Sequence, residues 1–512
     1  MYFLPIALFL VISLSILITI LSIHIKKSAI QVVNDMGFGW GLAHSFECFI
    51  ANKKVNNPDE QITAWGNKVP TKQMFISLKE YGFKTIRLPV TWMHFMDDSG
   101  NVDSEWMSRV KEVVDWIINS KLYCIINVGN DGSENQWLSK GITSKNKYIN
   151  LWKQISNEFK NYNEYLIFES MEIGLYKKGN NYDYLTLLIL NQAFVDAVRN
   201  SGGKNSERLL IVAGMYKDPD LTLSPEYKLP IDPFKKLAVS LNYFIPTRFT
   251  IEFSNRPWNW TDGNGVLHTT PSLNYWGEEN DYKELFIYFQ NFKESFVDKG
   301  IPVIISQVAV VTEDIKEHES MIEYLYSVFS ISASYSGIIS CLWDSSNKKE
   351  GIWNYYDREN RKFFDEEVGE IFKKISNGKY DKLIDFSYYS NIDTVTTVNE
   401  NGNMKINFKN KKVIKVIFSV NLDNISSSRV NFGILCNDKN SLYFTTQVNG
   451  DIGTRKGSSY IYTIDMRKID CYDYIEIQKW WNSKYVTFNY LNIELDKQYK
   501  FLDFKAYKDS LK

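Results

Sequence analysis

Leu122-Tyr123-Cys124-Ile125-Ile126-Asn127-Val128 is a short apolar run set between two longer amphipathic stretches, Glu105–Ser120 and Lys145–Lys160. A short apolar run between turn signals fits a buried strand, and recurrence of apolar residues every three to four positions fits a helix, so the segment reads as one strand alternating with helices. The same rhythm recurs from Met36 to about Tyr380. The other apolar runs are Gly37–Ala43, Lys84–Pro89, Leu166–Ser170, Arg208–Ala213, Leu237–Asn242, Val303–Ser306 and Ile338–Trp343, with further helical patterns such as Tyr282–Lys299 between them.

Eight strands alternating with helices predict an α/β fold, a closed (β/α)8 TIM barrel, over residues 28–380. A doubly wound open sheet would commonly carry a Gly-rich phosphate turn after its first strand, and this chain has none there. Past Lys379 the helical period stops. Alternating runs follow at Thr394–Val398, Lys405–Phe408, Val413–Val420, Arg429–Cys436, Tyr443–Gln447, Ser459–Asp465, Tyr474–Trp480 and Tyr485–Leu495, parted by turn clusters such as Asn449-Gly450-Asp451. That pattern predicts an antiparallel β-sandwich, jelly-roll-like, over residues 385–507.

Composition narrows the function. With 512 residues, 44% of them hydrophobic, the chain can bury a large core and a second, smaller one. A net charge of −1, with no basic tract longer than runs such as Lys409-Asn410-Lys411-Lys412, leaves no electrostatic footprint for nucleic acid. A neutral partner fits better, and 14 Trp, 32 Tyr and 31 Phe suit a surface that stacks on sugar rings, although most aromatic side chains in any domain are core. Nothing in the sequence calls for a cofactor or a metal: the five cysteines, Cys48, Cys124, Cys341, Cys436 and Cys471, show no C-x-x-C spacing, and one bridge, Cys436 to Cys471, stays open. Sequons at Asn259-Trp260-Thr261 and Asn424-Ile425-Ser426 suit a secreted protein but arise readily by chance in an Asn-rich chain.

The first 27 residues form a hydrophobic signal or anchor segment. Tyr2–Ile25 has no charge apart from His24, and Lys26-Lys27 follow. A run of that length can span a bilayer, and it lacks the basic start, short apolar core and small-residue end of a cleaved leader. The expectation is a secreted or cell-surface protein, anchored in the membrane by this segment if it is uncleaved. Basic residues downstream of the span would instead hold the remainder in the cytoplasm, so the side of the membrane stays open.

The ends of the strands carry motifs that together resemble a known family. Gly39-Trp40-Gly41-Leu42-Ala43-His44-Ser45-Phe46-Glu47, Ala64-Trp65-Gly66-Asn67, Thr85-Ile86-Arg87-Leu88-Pro89-Val90-Thr91-Trp92, Leu166-Ile167-Phe168-Glu169, Gly300-Ile301-Pro302-Val303-Ile304-Ile305 and Leu342-Trp343-Asp344 look like the corresponding stretches of glycoside hydrolase family 5, the cellulase-type endoglucanases, in the family's order. The resemblance runs from about residue 36 to 380 and implies a retaining glycosidase, which uses one carboxyl as acid/base and a second as nucleophile, roughly 5 Å apart.

Carried over by position, the resemblance fails at those two residues. The acid/base position of the family's N-E-P falls on Ile173, within Glu172-Ile173-Gly174, and the nucleophile position falls on Gln307. Where the family has G-W-N-L-G-N, Gly41, Ala43 and His44 replace Asn, Gly and Asn. Gly129 and Asn130 stand for two histidines, and Asn242 and Phe244 for the His and Tyr of H-x-Y. Only Arg87 and Trp343 match clearly. An alkyl side chain cannot move a proton, and an amide cannot form a glycosyl ester, so the expected protein is a non-catalytic β-glucan-binding pseudoenzyme. The alternative is an active β-1,4-glycanase with a rearranged site, in which Glu172 serves as the acid if a bulge turns it inward. Such a site would need Asp131, Asp344 or Glu313 about 6.5–9.5 Å away for an inverting route. Strand alternation, by contrast, points a residue one place off to another side. Glu169 and Arg87 also read as a structural ion pair.

Sugar contacts implied by the resemblance are Arg87, Asn130, Asn242 and Trp343, with Trp65, Trp92 and Trp137 as cleft candidates. The insertion Pro257–Gly277, with Trp258, Trp260 and Trp276, should lie on the same barrel face. In the sandwich, Lys479-Trp480-Trp481-Asn482 resembles the carbohydrate-binding modules attached to such glycosidases. Alternation puts one of Trp480 and Trp481 in the core and the other outside.

Overall fold

The computed structural model describes residues 27–50, 57–129, 137–138, 140–173, 181–251, 258–261, 267–270, 273–277, 279–312, 316–346 and 353–378, and, beyond them, 395–398, 403–407, 413–422, 430–436, 440–446, 453–456, 459–466, 474–479 and 486–495. The chain divides into two compact units, the first of residues 1–260 and 268–381 and the second of residues 261–267 and 382–512.

The first unit is a closed barrel. Its strands are β1 (Gly39–Leu42), β2 (Thr85–Leu88), β3 (Tyr123–Asn127), β4 (Leu166–Glu169), β5 (Leu210–Ala213), β6 (Leu237–Asn242), β7 (Val303–Val308) and β8 (Ile338–Asp344). Each pairs in parallel with its sequence neighbours, and β8 closes on β1 through Gly39↔Cys341 and Leu42↔Asp344. All eight strands fall on the apolar runs read from the sequence. Every described barrel strand is buried end to end, as expected of parallel strands with helices outside and packed side chains within.

Helices form where the local signals agree. Ser104–Asn119 starts on Asp103, whose carboxylate accepts from the N–H groups of Glu105 (2.8 Å) and Trp106 (3.1 Å). It turns Trp106, Val110, Val113, Val114 and Ile117 inward at helical spacing. The helix Ala29–Met36 opens with a capping box between Ser28 and Gln31. Its Ala29, Val32, Val33 and Met36 share a core with Ile125, Ile167, Ile211, Ala238, Ile304 and Ile339, one inward side chain from each of β3 to β8. Because side chains alternate along a strand, the residues two places further on, Asn127, Glu169, Ala213, Ser240, Ser306 and Cys341, lie on the same face one layer nearer the C-terminal mouth. There the interior turns from apolar to polar.

The second unit contains nine described strands: β9 (Val395–Val398), β10 (Met404–Asn407), β11 (Val413–Leu422), β12 (Val430–Cys436), β13 (Asn440–Thr446), β14 (Gly453–Lys456), β15 (Ser459–Asp465), β16 (Tyr474–Lys479) and β17 (Val486–Leu495). They make two antiparallel sheets, ordered β9-β10-β16-β12-β13 and β14-β15-β11-β17. Alternate residues are buried, Ile434 and Cys436 in one sheet and Tyr462 and Ile464 in the other. Strand β14, a polar Gly-Thr-Arg-Lys segment, carries no alternation and was not foreseen. Cys436 is disulfide-bonded, whereas Cys48, Cys124 and Cys341 are free thiols. Its expected partner Cys471, together with Trp480 and Trp481, lies outside the described residues.

Candidate functional site

At the mouth of the barrel four charged side chains from the ends of β2, β4 and β5 converge. Arg87 on β2 donates from Nε to Glu169 Oε2 at 2.8 Å and from Nη2 to Glu172 Oε2. Lys217, in the turn after β5, donates to Glu169 Oε1 at 2.6 Å, Glu172 Oε2 at 3.2 Å and Ser306 Oγ at 3.4 Å. Asn127 Nδ2 adds a bond to Glu169 Oε2 at 3.2 Å, and its Oδ1 accepts from the Val90 N–H at 3.1 Å. Two cations thus balance two carboxylates out of water, the arrangement in which a buried charge is tolerated. Burial works against ionisation of Glu169, but Arg87 and Lys217 outweigh it and hold its carboxyl down at about 2. Burial likewise works against the Arg87 charge, and Glu169 and Glu172 more than restore it. The ion pair expected between Arg87 and Glu169 is therefore part of a larger network.

One expectation drawn from strand alternation changes here. Alternation was expected to turn Glu172 elsewhere unless a bulge swung it inward, yet Glu172 shares Arg87 and Lys217 with Glu169. The ladder ends at Glu169, so Ser170–Ile173 is not bound to alternate, although the Glu172 N–H still reaches Val128 O at 2.8 Å. On β7, one extra residue is accommodated at Ser306-Gln307: Leu241 and Asn242 of β6 pair with Ile305 and Gln307, skipping Ser306. Such a bulge re-aims side chains beside a site, and here it brings Gln307 level with Asn242.

Ile173 is buried at 2% exposure, and Gln307 at 9% carries no side-chain hydrogen bond among the described residues. Asn242 is buried with Oδ1 unpartnered there, as is Arg87 Nη1. Phe244 packs on Trp353, ring centres 5.9 Å apart. Trp343, next to last in β8, pairs with Gly41; a Cβ on that glycine would stand 3.3 Å from the indole Cε3. Trp65 is half-buried, its Nε1 donating to Phe49 O at 3.2 Å while its ring meets His44 edge to face. Trp92 and Trp137 are buried, the first donating to Asn127 O at 2.9 Å and the second packed on Tyr148. Trp276 is equally enclosed, between Tyr282 and Tyr324. Asp344 is spent on Trp40 Nε1 (3.0 Å) and the N–H groups of Ser346, Tyr355 and Tyr356. Asn130, Asp131 and Glu313 lie outside the described residues.

Sequence reasoning passed over two residues. Lys217 sits in the short turn Met215–Lys217, and a lone lysine in a turn gives no signal of burial. Glu47, in the loop after β1, accepts the His44 N–H at 2.7 Å. Burial, opposed by that bond and aided by Glu172, pushes its carboxyl up to about 7.

A family model described as Cellulase (glycosyl hydrolase family 5) matches residues 48–349, more than half of the chain. The chain belongs to glycoside hydrolase family 5. Among family relatives, Endoglucanase A of Paenibacillus barcinonensis is 31% identical over 359 residues, covering 65% of this chain and 86% of that protein. A solved GH5-4 broad specificity endoglucanase from an uncultured bovine rumen ciliate is 50% identical, with a TM-score of 0.66, over 69% of this chain and 99% of that one. Another, from Ruminococcus champanellensis with bound cellotriose, is 26% identical with a TM-score of 0.60, over 68% of this chain and 99% of that one.

Proposed function

We propose that this chain is a non-catalytic, β-glucan-binding member of glycoside hydrolase family 5, secreted or held at the cell surface. The observation that carries the reading is the pair of side chains at two strand ends. Ile173 and Gln307 occupy the positions that the family resemblance gives to the proton donor and the nucleophile. Neither can take part in the two-carboxylate chemistry of a retaining glycosidase. The acidic groups beside Ile173 in sequence, Glu169 and Glu172, are engaged by Arg87 and Lys217. A site that has lost its reacting groups can still bind, because recognition of a sugar rests on stacking and on hydroxyl hydrogen bonds.

Relatives named as endoglucanases, one of them solved with cellotriose, support a β-1,4-glucan as the ligand. In this reading Trp343 is the platform, and Arg87, Asn242 and Trp65 are the further sugar contacts. The second unit is read as a carbohydrate-binding module through Trp480 and Trp481. The Cys436 disulfide supports an oxidising compartment, since such bonds persist outside the cytosol.

The test has two arms. A reducing-sugar assay on soluble β-1,4-glucans should show no turnover above buffer; turnover abolished by Glu172→Gln overturns the reading. Affinity electrophoresis in glucan gels should show retardation that Trp343→Ala removes, and unretarded wild-type protein would remove the binding claim.

The second reading is hydrolysis by a rearranged site, and one observation favours it. Glu47 keeps a proton up to about pH 7 beside Glu172, as a general acid must. In that case turnover would fall with both Glu47→Gln and Glu172→Gln.

A further inference from the structure

Lys217 is wholly buried and stands in a turn that backbone preference alone would not form. Tyr216 and Lys217 both have φ of 50°, the left-handed region that non-glycine residues enter rarely and at a cost of about 1 kcal/mol or more each. The turn is wedged in place: the Lys217 N–H bonds Gly214 O at 3.1 Å, and a Cβ on Gly214 would come within 2.4 Å of Thr222 Oγ1 and 2.9 Å of Ser240 O. The strain is offset where the side chain ends. All three ammonium protons find acceptors, on Glu169, Glu172 and Ser306. Those contacts span the ends of β4, β5 and β7.

The consequence falls on Glu172. Its Oε2 takes both Arg87 Nη2 and Lys217 Nζ, while Oε1 accepts no hydrogen bond among the described residues. Arg87 alone would leave the carboxylate free to turn about that one contact. A second cation on the same oxygen, itself anchored to Glu169 and Ser306, fixes the plane of the group.

We propose that Lys217 is a positioning residue of the saccharide site: it holds the Glu172 carboxylate with Oε2 saturated and Oε1 free to accept a hydroxyl of a neutral β-glucan. The proposal rests on the binding function proposed above and names the residue that tunes it. A lysine that only supported the fold would affect binding in the same way whatever stood at position 172.

The experiment is a double-mutant cycle of cellohexaose affinity by calorimetry on the full chain, with wild type, Glu172→Gln, Lys217→Met and the double variant. Loss of a charged acceptor should weaken binding about ten-fold in Glu172→Gln. Lys217→Met should lose about as much, and the double variant should bind within two-fold of Glu172→Gln. Lys217→Met leaves two carboxylates on one arginine and can fail to fold. The double variant removes one charge of each sign, so the comparison of Glu172→Gln with the double variant decides the matter by itself. A double variant more than five-fold weaker than Glu172→Gln overturns the proposal, as does a Glu172→Gln variant that binds like wild type. A wild type that does not bind overturns the proposed function and this inference with it, an outcome distinct from the other two.

Discussion

Lys217 Nζ lies 2.6 Å from Glu169 Oε1, and neither side chain reaches solvent. The contact joins the end of β4 to the turn after β5. With Arg87 on the other oxygen of Glu169, it converts the polar mouth of the barrel into a closed set of charges.

Such a set should respond to acid. The Glu169 carboxyl is held at about 2 against an ordinary 4.5. A depressed value in the folded state contributes stability that is present above about pH 4.5 and lost as pH falls towards 2. Urea unfolding of the wild type should therefore show a steep acid limb in that window. Glu169→Gln should flatten it, and an unchanged limb would mean that the depression is absent.

Glu47 should act in the opposite sense. Its folded value of about 7 lies above the ordinary 4.5, so the folded state binds its proton more tightly. The stability it contributes is present below about 4.5 and lost as pH rises through 7. Comparing unfolding midpoints of wild type and Glu47→Gln between those limits should show a decline in the former that the latter lacks.

Arg87 has carboxylates on two of its nitrogens. Arg87→Met leaves Glu169 and Glu172 facing Lys217 alone, and breaking a buried pair from one side costs about 3–5 kcal/mol. Chemical denaturation followed by tryptophan fluorescence would read a loss of that size. A loss below about 1 kcal/mol, the range of exposed pairs, would show that water reaches the cluster.

Arg208 ties elements together through uncharged acceptors. Nearly sealed from solvent, it donates to four backbone carbonyls, those of Phe159, Tyr162, Asn163 and Leu166, and to Asn205 Oδ1. These acceptors follow the helix Lys145–Glu158 and lead into β4, so one side chain ties the helix end to the strand. Arg208→Met should cost about 3 kcal/mol or more by orphaning several buried carbonyls, measured by urea denaturation.

Gly41 should prove sensitive for a steric reason. An added Cβ would stand 3.3 Å from both Leu342 O and Trp343 Cε3, so the indole must move. Gly41→Ala should cost about 1–3 kcal/mol and shift the tryptophan emission spectrum. A silent substitution would mean that the ring is loosely held.

How far the sequence reached differs between fold and site. Runs such as Leu122–Val128 and Val303–Ser306 identified their strands because a parallel strand buried on both faces must be apolar along its length. Strand β14 escaped because Gly-Thr-Arg-Lys has neither an apolar run nor alternation. At the site, the place of Glu172 beside Arg87 and Lys217 could not be read from the sequence. Its direction depends on where the β4 ladder ends, and that is a matter of hydrogen bonding between strands.

By itself the sequence determined the order of strands and helices and the parity of side chains within each strand. These are local properties, fixed by the side chain at a position and the period of its neighbours. Only the tertiary structure decided that Arg87, Glu169, Glu172 and Lys217 form one neutral cluster, and that Gln307 stands level with Asn242 across a bulge. Barrel closure brings together residues as far apart in sequence as Arg87 and Lys217, and no local pattern records which of them meet.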